Sequence, residues 1–334
     1  MTGSSSAALR PRDPRPRSLR DLADAFALEV RGDLDGIDVT GVSLASGAVQ
    51  SGDLYAGVPG RNAHGADYAA DAAARGAVAV LTAAGGAERA AAIAPGLPIL
   101  VTPSVRAALG GIAGWVYRSD ENTATLLAVT GTNGKTSVVY LAYGVLQQLG
   151  EVAGLTSTAE RRIGDEAVTS SLTTPEASEL HALLARGREL GARAVGVEVS
   201  AQALSRHRVD GLVFDVAGFT NLTHDHLDDY ASMDEYFEAK LALFQPDRAR
   251  RGVVIVDSPW GRRLAAEAGI PVVTIATEPG LDADWRVTFG AETATHTDFT
   301  IEASDGRRLE TSVPLLGRYM AANAALAIVM LVEA

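Results

Sequence analysis

The chain has 334 residues, a net charge of −12 at pH 7 and no cysteine. Disulfides and cysteine-ligated zinc are therefore excluded, and the acidic balance argues against general nucleic-acid binding, which needs a basic footprint. Hydrophobic residues make up 47%, charged residues 21% and aromatics only 5%, the composition of a soluble globular chain of two or three domains with cores of Val, Leu, Ile and Ala.

In chain order, residues 1–17 are dominated by Ser, Pro and Arg and predict a disordered basic tail, read as a solvated leader. Ser18, with Asp21 three residues on, predicts a capped helix with Leu19, Leu22, Ala23 and Phe26 on its apolar face. Strands are expected at 39–46 and, after a turn, within 52–60. A short Ala-rich helix over 69–75 ends at Gly76, and strands follow at 77–81 and 98–101. Ser104 caps a helix running to about 117. These elements predict a compact α/β domain over 18–118. The polar stretch 119–123 reads as a linker.

The stretch Leu126-Leu127-Ala128-Val129-Thr130-Gly131-Thr132-Asn133-Gly134-Lys135-Thr136-Ser137 opens the next unit. It reads as buried strand, tight Gly-rich loop, then an amphipathic helix over 138–149. Such a loop presents several backbone N–H groups to one anion at a helix N-terminus. Gly131 and Gly134 leave room for close approach of phosphate oxygens. Lys135 would reach the β/γ-phosphates and the Thr136 hydroxyl would ligate Mg²⁺. The usual G-x-x-x-x-G-K-[ST] pattern needs a glycine where Val129 stands, so the fit is incomplete. Beyond the loop, a helix is expected over 175–190, begun by Thr174 and Pro175 and ended by Gly191. Strands follow at 194–199, 214–219, 252–256 and 271–275, with a helix at 234–244. This alternation predicts a parallel sheet covered on both faces. Residues 285–313 read as short alternating strands with an Asp305-Gly306 turn, a small antiparallel addition. Residues 317–334 read as a helix that stops mid-pattern at Ala334, as if interrupted.

No run approaches the roughly 20 apolar residues of a membrane-spanning helix, and the N-terminus lacks the apolar core of a signal peptide. No membrane insertion and a cytoplasmic location are expected. A second set of chemistry-bearing residues follows the loop. Glu198 ends an apolar strand, at the edge where parallel sheets collect ligands, and could hold Mg²⁺ or be a solvated strand end. His226, in Asp225-His226-Leu227-Asp228, could be a metal ligand or phosphate contact, although a lone histidine is more often structural. Lys240 sits in a helical pattern, and periodicity makes it an ordinary solvated lysine.

Five stretches in order carry a resemblance: 130–137; Leu172-Thr173-Thr174-Pro175-Glu176; Glu198-Val199-Ser200; Phe219-Thr220-Asn221-Leu222-Thr223-His224-Asp225-His226-Leu227-Asp228; and Tyr236-Phe237-Glu238-Ala239-Lys240. They resemble the ordered motifs of the Mur ligases, most closely the MurE type. The segments Leu44-Ala45-Ser46, Gly52-Asp53-Leu54-Tyr55 and Gly60-Arg61-Asn62-Ala63-His64-Gly65 are similar to the uridine-binding domain of that type. The resemblance implies a Mur-type α/β fold: an N-terminal uridine-binding domain over 18–118, a central P-loop ATPase domain over 119–315, and the start of a truncated C-terminal domain over 316–334.

It also implies roles. ATP would be bound by Gly131, Thr132, Asn133, Gly134, Lys135, Thr136 and Ser137, with Asn221 and Asn323 near the base. Mg²⁺ would be held by Thr136, Glu198, His226 and Lys240, the lysine as a CO₂-derived carbamate. Leu44, Ser46, Arg61, Asn62 and Ala63 match positions around the uracil. Thr173, Thr174, Ser200, Arg206 and Arg208 match positions around the muramoyl-peptide and its pyrophosphate. The implied reaction is ATP-dependent ligation of meso-diaminopimelate, or L-lysine, to UDP-MurNAc-L-Ala-D-Glu through an acyl phosphate, by a protein expected to be monomeric. The family usually shows Asp-Ser-Arg where this chain has Ala45-Ser46-Gly47, and Asn where it has Met320. Alternatives are a D-Ala-D-Ala-adding Mur ligase, a folylpolyglutamate synthase-like ligase, or a non-catalytic ATP- and UDP-sugar-binding protein. A GTPase switch would need an Asn-Lys-x-Asp guanine motif, which is lacking.

Overall fold

The computed structural model describes residues 9–60, 63–223 and 230–334. The N-terminal unit is built from β1 (Arg17–Ser18), α1 (Leu19–Ala25), β2 (Glu29–Arg31), β3 (Asp38–Val39), β4 (Gly41–Ser43), β5 (Asp53–Gly57), α2 (Ala69–Ala74), β6 (Ala79–Thr82), α3 (Ala84–Ile93), β7 (Ile99–Val101) and α4 (Val105–Tyr117). Its five-stranded sheet has the order β2-β7-β6-β5-β4, parallel except for β2. Ser18 caps α1 by accepting from the Asp21 N–H, as its position predicts. Leu19, Leu22, Leu109, Ile112 and Val116 pack on one face of the sheet. The helix α3 has no sequence signal, because its Ala- and Gly-rich turns carry little apolar periodicity.

The second unit comprises β8 (Thr125–Thr130), α5 (Lys135–Gln148), β9 (Ala153–Thr156), β10 (Glu160–Ile163), β11 (Glu166–Thr169), α6 (Ala177–Glu189), β12 (Ala194–Glu198), α7 (Ala201–Ser205), β13 (Phe214–Phe219), α8 (Met233–Leu241), β14 (Ala249–Ile255), α9 (Pro259–Glu267), β15 (Val272–Ala276), β16 (Trp285–Glu292), β17 (Thr297–Ala303), β18 (Arg308–Val313) and α10 (Arg318–Glu333). They form one eleven-stranded sheet in the order β11-β10-β9-β12-β8-β13-β14-β15-β16-β17-β18. Its centre, β9 to β16, is parallel, and both edges are antiparallel. The expected antiparallel addition is therefore a continuation of the sheet. The β10–β11 edge hairpin was not expected, since Glu160-Arg161-Arg162 reads as polar. The helix α6 begins at Ala177, with Glu176 and Glu179 forming a reciprocal capping box, slightly later than Thr174-Pro175 suggested.

Two expectations are overturned. Residues 9–17 are ordered against the body: Leu9 is buried in the core beneath α6, and Arg10 pairs with buried Asp53. Composition misleads there because one leucine and one well-placed arginine suffice to anchor a short strap. Residues 316–334 do not start a separate domain. Leu326, Val329 and Met330 of α10 are buried with Val129, Val138 and Val216 on one face of the central sheet, beside α5. Each such side chain contributes about 1.5–3 kcal/mol of burial. The other face is covered by α6 and α8 through Leu180, Leu184, Phe237 and Leu241. The N-terminal unit docks on α6, whose Ala177, Ala182 and Ala185 join its core.

Candidate active site

The adjacent strands β12, β8 and β13 end side by side, so their C-terminal loops converge. Gly131 and Gly134 of the loop after β8 have φ of +145° and +89°, conformations open to glycine and costly for other residues. The loop is held from β13: the Thr132 N–H donates to the Asn221 carbonyl (2.9 Å), and the Asn133 N–H to Asn221 Oδ1 (3.0 Å). The Thr220 hydroxyl donates to the Asn133 carbonyl (2.6 Å) and the Thr223 N–H to Thr132 Oγ1 (3.0 Å). Lys135, the first residue of α5, folds over the loop and donates to the carbonyls of Gly131 (3.0 Å) and Thr132 (2.8 Å). Ser137 lies in the same first turn.

Glu198 is 2% exposed, which rules out a solvated strand end. The Thr136 hydroxyl lies 3.0 and 3.1 Å from its two carboxylate oxygens, and the Thr158 N–H donates to Oε2 (3.0 Å). Lys240 is 1% exposed, against the periodicity reading. Its ammonium donates to the Gly131 carbonyl (2.9 Å) and sits 4.4 Å from the Tyr236 ring centroid. Lys135 and Lys240 therefore share one carbonyl acceptor. Helix α8 can bury its lysine because Tyr236 and Phe237 carry that helix face into the core.

A cavity of about 220 Å³ opens beside this group, lined by Lys135, Thr158, Thr173, Ser200, Arg208 and Lys240 among others. Thr174 stands behind it: its hydroxyl donates to the Glu198 carbonyl (2.8 Å) and accepts from the Ser200 N–H (3.0 Å). Arg208 is 7% exposed. Its Nε has no hydrogen-bond partner among the described residues, and Glu176 lies 3.4 Å away. Burial pushes the Arg208 pKa down, opposed by Glu176. A buried, incompletely bonded guanidinium facing a cavity suits an anionic ligand. Arg206 is exposed at the end of α7 and does not line the cavity.

On the other side of the loop, a cleft of about 750 Å³ is lined by Asn221, Asn323, Asp257, Thr277, Arg318 and Tyr319 among others. Asn323 backs the loop closely, since a Cβ at Gly134 would lie 2.7 Å from its Oδ1. Met320 does not line this cleft. In the N-terminal unit, Leu44 is half-buried in the loop after β4. The Ser46 hydroxyl bonds to Asp71 and, with Arg75, holds that carboxyl below its usual range. Ala63 is exposed. Arg61, Asn62 and His226 lie outside the described residues.

Sequence reasoning missed Thr158, Tyr236 and Glu176. Thr158 follows β9, so the strand-edge rule would find it once β9 is recognised. Tyr236 stands four residues before Lys240, a visible helical spacing. Among the described residues no group of three His, Asp or Glu side chains is placed to hold a metal ion. The oxygen donors of Thr136 and Glu198 nevertheless suit a hard cation such as Mg²⁺.

Residues 129–331 match the Mur ligase middle domain, and residues 38–115 match the Mur ligase family, catalytic domain. The chain belongs to the Mur ligase family. It is 67% identical over 333 residues to a UDP-N-acetylmuramyl-tripeptide synthetase of Leifsonia xyli subsp. xyli (strain CTCB07), covering 100% of this chain and 64% of that protein. It is 45% identical over 330 residues to a UDP-N-acetylmuramoyl-L-alanyl-D-glutamate--2,6-diaminopimelate ligase of Streptomyces coelicolor (strain ATCC BAA-471 / A3(2) / M145), covering 97% and 64%. This Mur ligase chain thus spans 64% of the length of those relatives. A solved UDP-N-acetylmuramoyl-L-alanyl-D-glutamate--2,6-diaminopimelate ligase superposes with a TM-score of 0.76 at 22% identity, over 94% of this chain and 63% of that one. A MurF ligase from Thermotoga maritima in complex with ADP gives 0.63 at 18%, over 86% and 62%. At those identities the likeness concerns the fold, and it matches the expected α/β architecture. No described helix is long and apolar enough to cross a membrane.

Proposed function

We propose that this chain carries the UDP-sugar and ATP machinery of an ATP-dependent amide ligase of peptidoglycan precursor synthesis. The reaction is addition of meso-diaminopimelate, or alternatively L-lysine, to UDP-MurNAc-L-Ala-D-Glu in the cytoplasm. The observation that carries the reading is the gathering of Lys135 and Thr136 after β8, Glu198 at the end of β12 and Lys240 of the buried helix α8 about the P-loop, with Lys135 and Lys240 lining one anion-sized cavity. The names of the Mur relatives at 67% and 45% identity support the substrate class.

In this reading the P-loop N–H groups cradle the phosphates of ATP, and Lys135 turns from the Gly131 and Thr132 carbonyls to the β/γ-phosphates. Asn221 and Asn323 border the cleft for the base. Arg208, Thr173 and Ser200 orient the muramoyl-dipeptide so that its free carboxylate faces the γ-phosphate; Thr174 braces that wall from behind. Leu44, Ser46 and Ala63, with Arg61 and Asn62, receive the uridine. The carboxylate oxygen attacks the γ-phosphorus and ADP leaves, giving an acyl phosphate. The amine of the incoming amino acid then attacks the acyl carbon, expels phosphate and loses a proton. Positioning and charge neutralisation are the protein's main tasks. Thr136 and Glu198 would hold Mg²⁺, with His226 and a carbamylated Lys240 at a second ion. Bound Mg²⁺ neutralises charge on the transferring phosphoryl group.

The test is ATP-dependent ligation of meso-diaminopimelate, and separately L-lysine, to UDP-MurNAc-L-Ala-D-Glu with bicarbonate present. The 334-residue chain and the natural reading frame extended to the length of its relatives run side by side. Product from the extended protein establishes the ligase, and the preferred amino acid sets its specificity. Tight UDP-dipeptide binding without product or phosphate from either would replace this reading with a non-catalytic binding protein.

A further inference from the structure

Residues 9–17 run as a strap along the seam between the two units. Leu9 is buried among central-unit residues that include Ile163, Leu180 and Leu184. The next side chain turns the other way. The Arg10 guanidinium grips Asp53 with both terminal nitrogens, Nη1 at 2.8 Å from Oδ2, and donates to the Tyr117 hydroxyl (3.0 Å). Asp53 is fully buried, and its Oδ2 also accepts from the Gln50 N–H (2.9 Å). The Tyr117 oxygen also accepts from the Val42 N–H (3.1 Å). One guanidinium is thus the counter-charge for a buried cluster that ties down both ends of the 43–49 loop. Gly41 provides the space: a Cβ there would lie 1.8 Å from Arg10 Nη2 and 2.4 Å from Asp53 Oδ1.

The loop has little to fix it from within. Leu44-Ala45-Ser46-Gly47-Ala48 contains no charged side chain, and its internal support is one 3₁₀ turn and the Ser43 hydroxyl donating to the Ala45 carbonyl (3.0 Å). A cavity of about 150 Å³ separates it from the start of α6, lined by Arg10, Leu44, Ala45, Glu176 and Ser178 among others.

We propose that Arg10 is a positioning residue for the nucleoside end of the substrate: through Asp53 and Tyr117 it fixes the loop that presents Leu44 and Ser46 to a uridine diphosphate. The inference rests on the reading of that loop as the uridine site. Removing Arg10 leaves a buried, uncompensated carboxylate, which is strongly unfavourable. The loop relieves it by opening to water, and binding must then supply the ordering that the strap now provides. Lysine retains the charge but not the planar fork that reaches both Asp53 oxygens and Tyr117 together.

The experiment titrates the wild-type chain, Arg10→Lys and Arg10→Met with UDP-MurNAc-L-Ala-D-Glu and, separately, with ADP, by calorimetry. Hydrogen exchange at amides 42–50 is followed without ligand. Arg10→Met is expected to weaken UDP-dipeptide binding about 10- to 100-fold while ADP affinity stays within about twofold; Arg10→Lys falls between. Exchange at Val42 and Gln50 quickens. Unchanged UDP-dipeptide affinity in Arg10→Met, or equal weakening of both ligands, overturns the proposal. Should Arg10→Met fail to fold, Tyr117→Phe carries the test with an expected loss of about 3- to 10-fold for the UDP ligand alone, and no loss is decisive against it. A wild-type chain that binds ADP but no UDP-dipeptide would instead remove the uridine reading itself, and the inference with it.

Discussion

The two loops proposed to face ligand are held in different ways. The P-loop is fixed by neutral hydrogen bonds from the next strand end, Thr220 to Thr223, and by its own lysine. Apart from Lys240 of α8, which donates to the Gly131 carbonyl, and Asn323 of α10, which backs Gly134, its supports lie at adjacent strand ends of one sheet. The 43–49 loop depends on a buried ion pair whose arginine comes from the strap along the seam between the two units. The first arrangement follows from strand order and spreads its support over several contacts. The second relies on one buried charge at both of its ends, beside the Ser46 contact with Asp71. Affinity on the ATP side should therefore respond to the residues that touch ligand, and affinity on the uridine side to residues that do not.

The largest expected effect on affinity is on the ATP side. Lys135→Ala removes the P-loop cation that, in the proposed reading, turns to the phosphates, and should raise the Kd for ADP about 100-fold, ~3 kcal/mol, leaving UDP-dipeptide affinity unchanged. Titration of both ligands checks it, and a parallel loss on the UDP side would show that the two loops are not independently held. Next comes the scaffold behind the P-loop. Leu326 is fully buried on α10, one turn beyond Asn323, which backs Gly134. Leu326→Ala should cost about 2–5 kcal/mol in denaturant unfolding. A cost below 1 kcal/mol would mean that α10 is not part of this core.

The seam itself carries a titrating group. His181 is fully buried; its Nε2 lies 3.1 Å from the Asp210 carbonyl and its Nδ1 2.7 Å from the Ser119 hydroxyl. A carbonyl only accepts, so Nε2 carries the proton and Nδ1 accepts from Ser119. Burial pushes its pKa from 6.5 to about 4. Between those values the unfolded chain binds more protons than the folded one, so stability falls as pH drops from 6.5 towards 4. The linked loss is up to about 3 kcal/mol. His181→Gln should flatten that limb when unfolding free energies are compared across the window. Equal slopes in both proteins would place the histidine in contact with water.

How much of this was legible in sequence follows from the range of each interaction. The Gly131-to-Ser137 loop and Glu198 were readable because strand, loop and helix are consecutive and a carboxylate at a parallel strand end is a local signal. The family was readable only from the ordered motifs, not from composition or periodicity. Lys240 was misread, because a helix face is buried or exposed according to what packs on it, and Tyr236 and Phe237 decide that here. The resemblance places 316–334 in another domain, and sequence alone does not correct it, because α5, the partner of α10, is distant in the chain. The strap was hidden by its composition: Ser, Pro and Arg dominate it, while Leu9 and Arg10 do the anchoring.

The smallest effect is expected two residues from the strap's anchor. Arg12 also reaches an acid, Glu166, but its side chain is 73% exposed. Glu166 is already gripped by Arg186 through two nitrogens at 2.7 and 3.1 Å, which holds its pKa below the usual range. Arg12→Ala therefore leaves no carboxylate stranded. The strap backbone also keeps its hold, since the Arg12 and Asp13 N–H groups donate to Glu189 whatever the side chain is. The substitution should change unfolding free energy by about 0–1 kcal/mol and leave UDP-dipeptide affinity as it is. Arg10 and Arg12 lie in one short segment and both form ion pairs with acids distant in sequence. Burial and the second arginine on Glu166 separate them, so a loss at Arg12 as large as that at Arg10 would show that the strap acts through its path rather than through one buried charge.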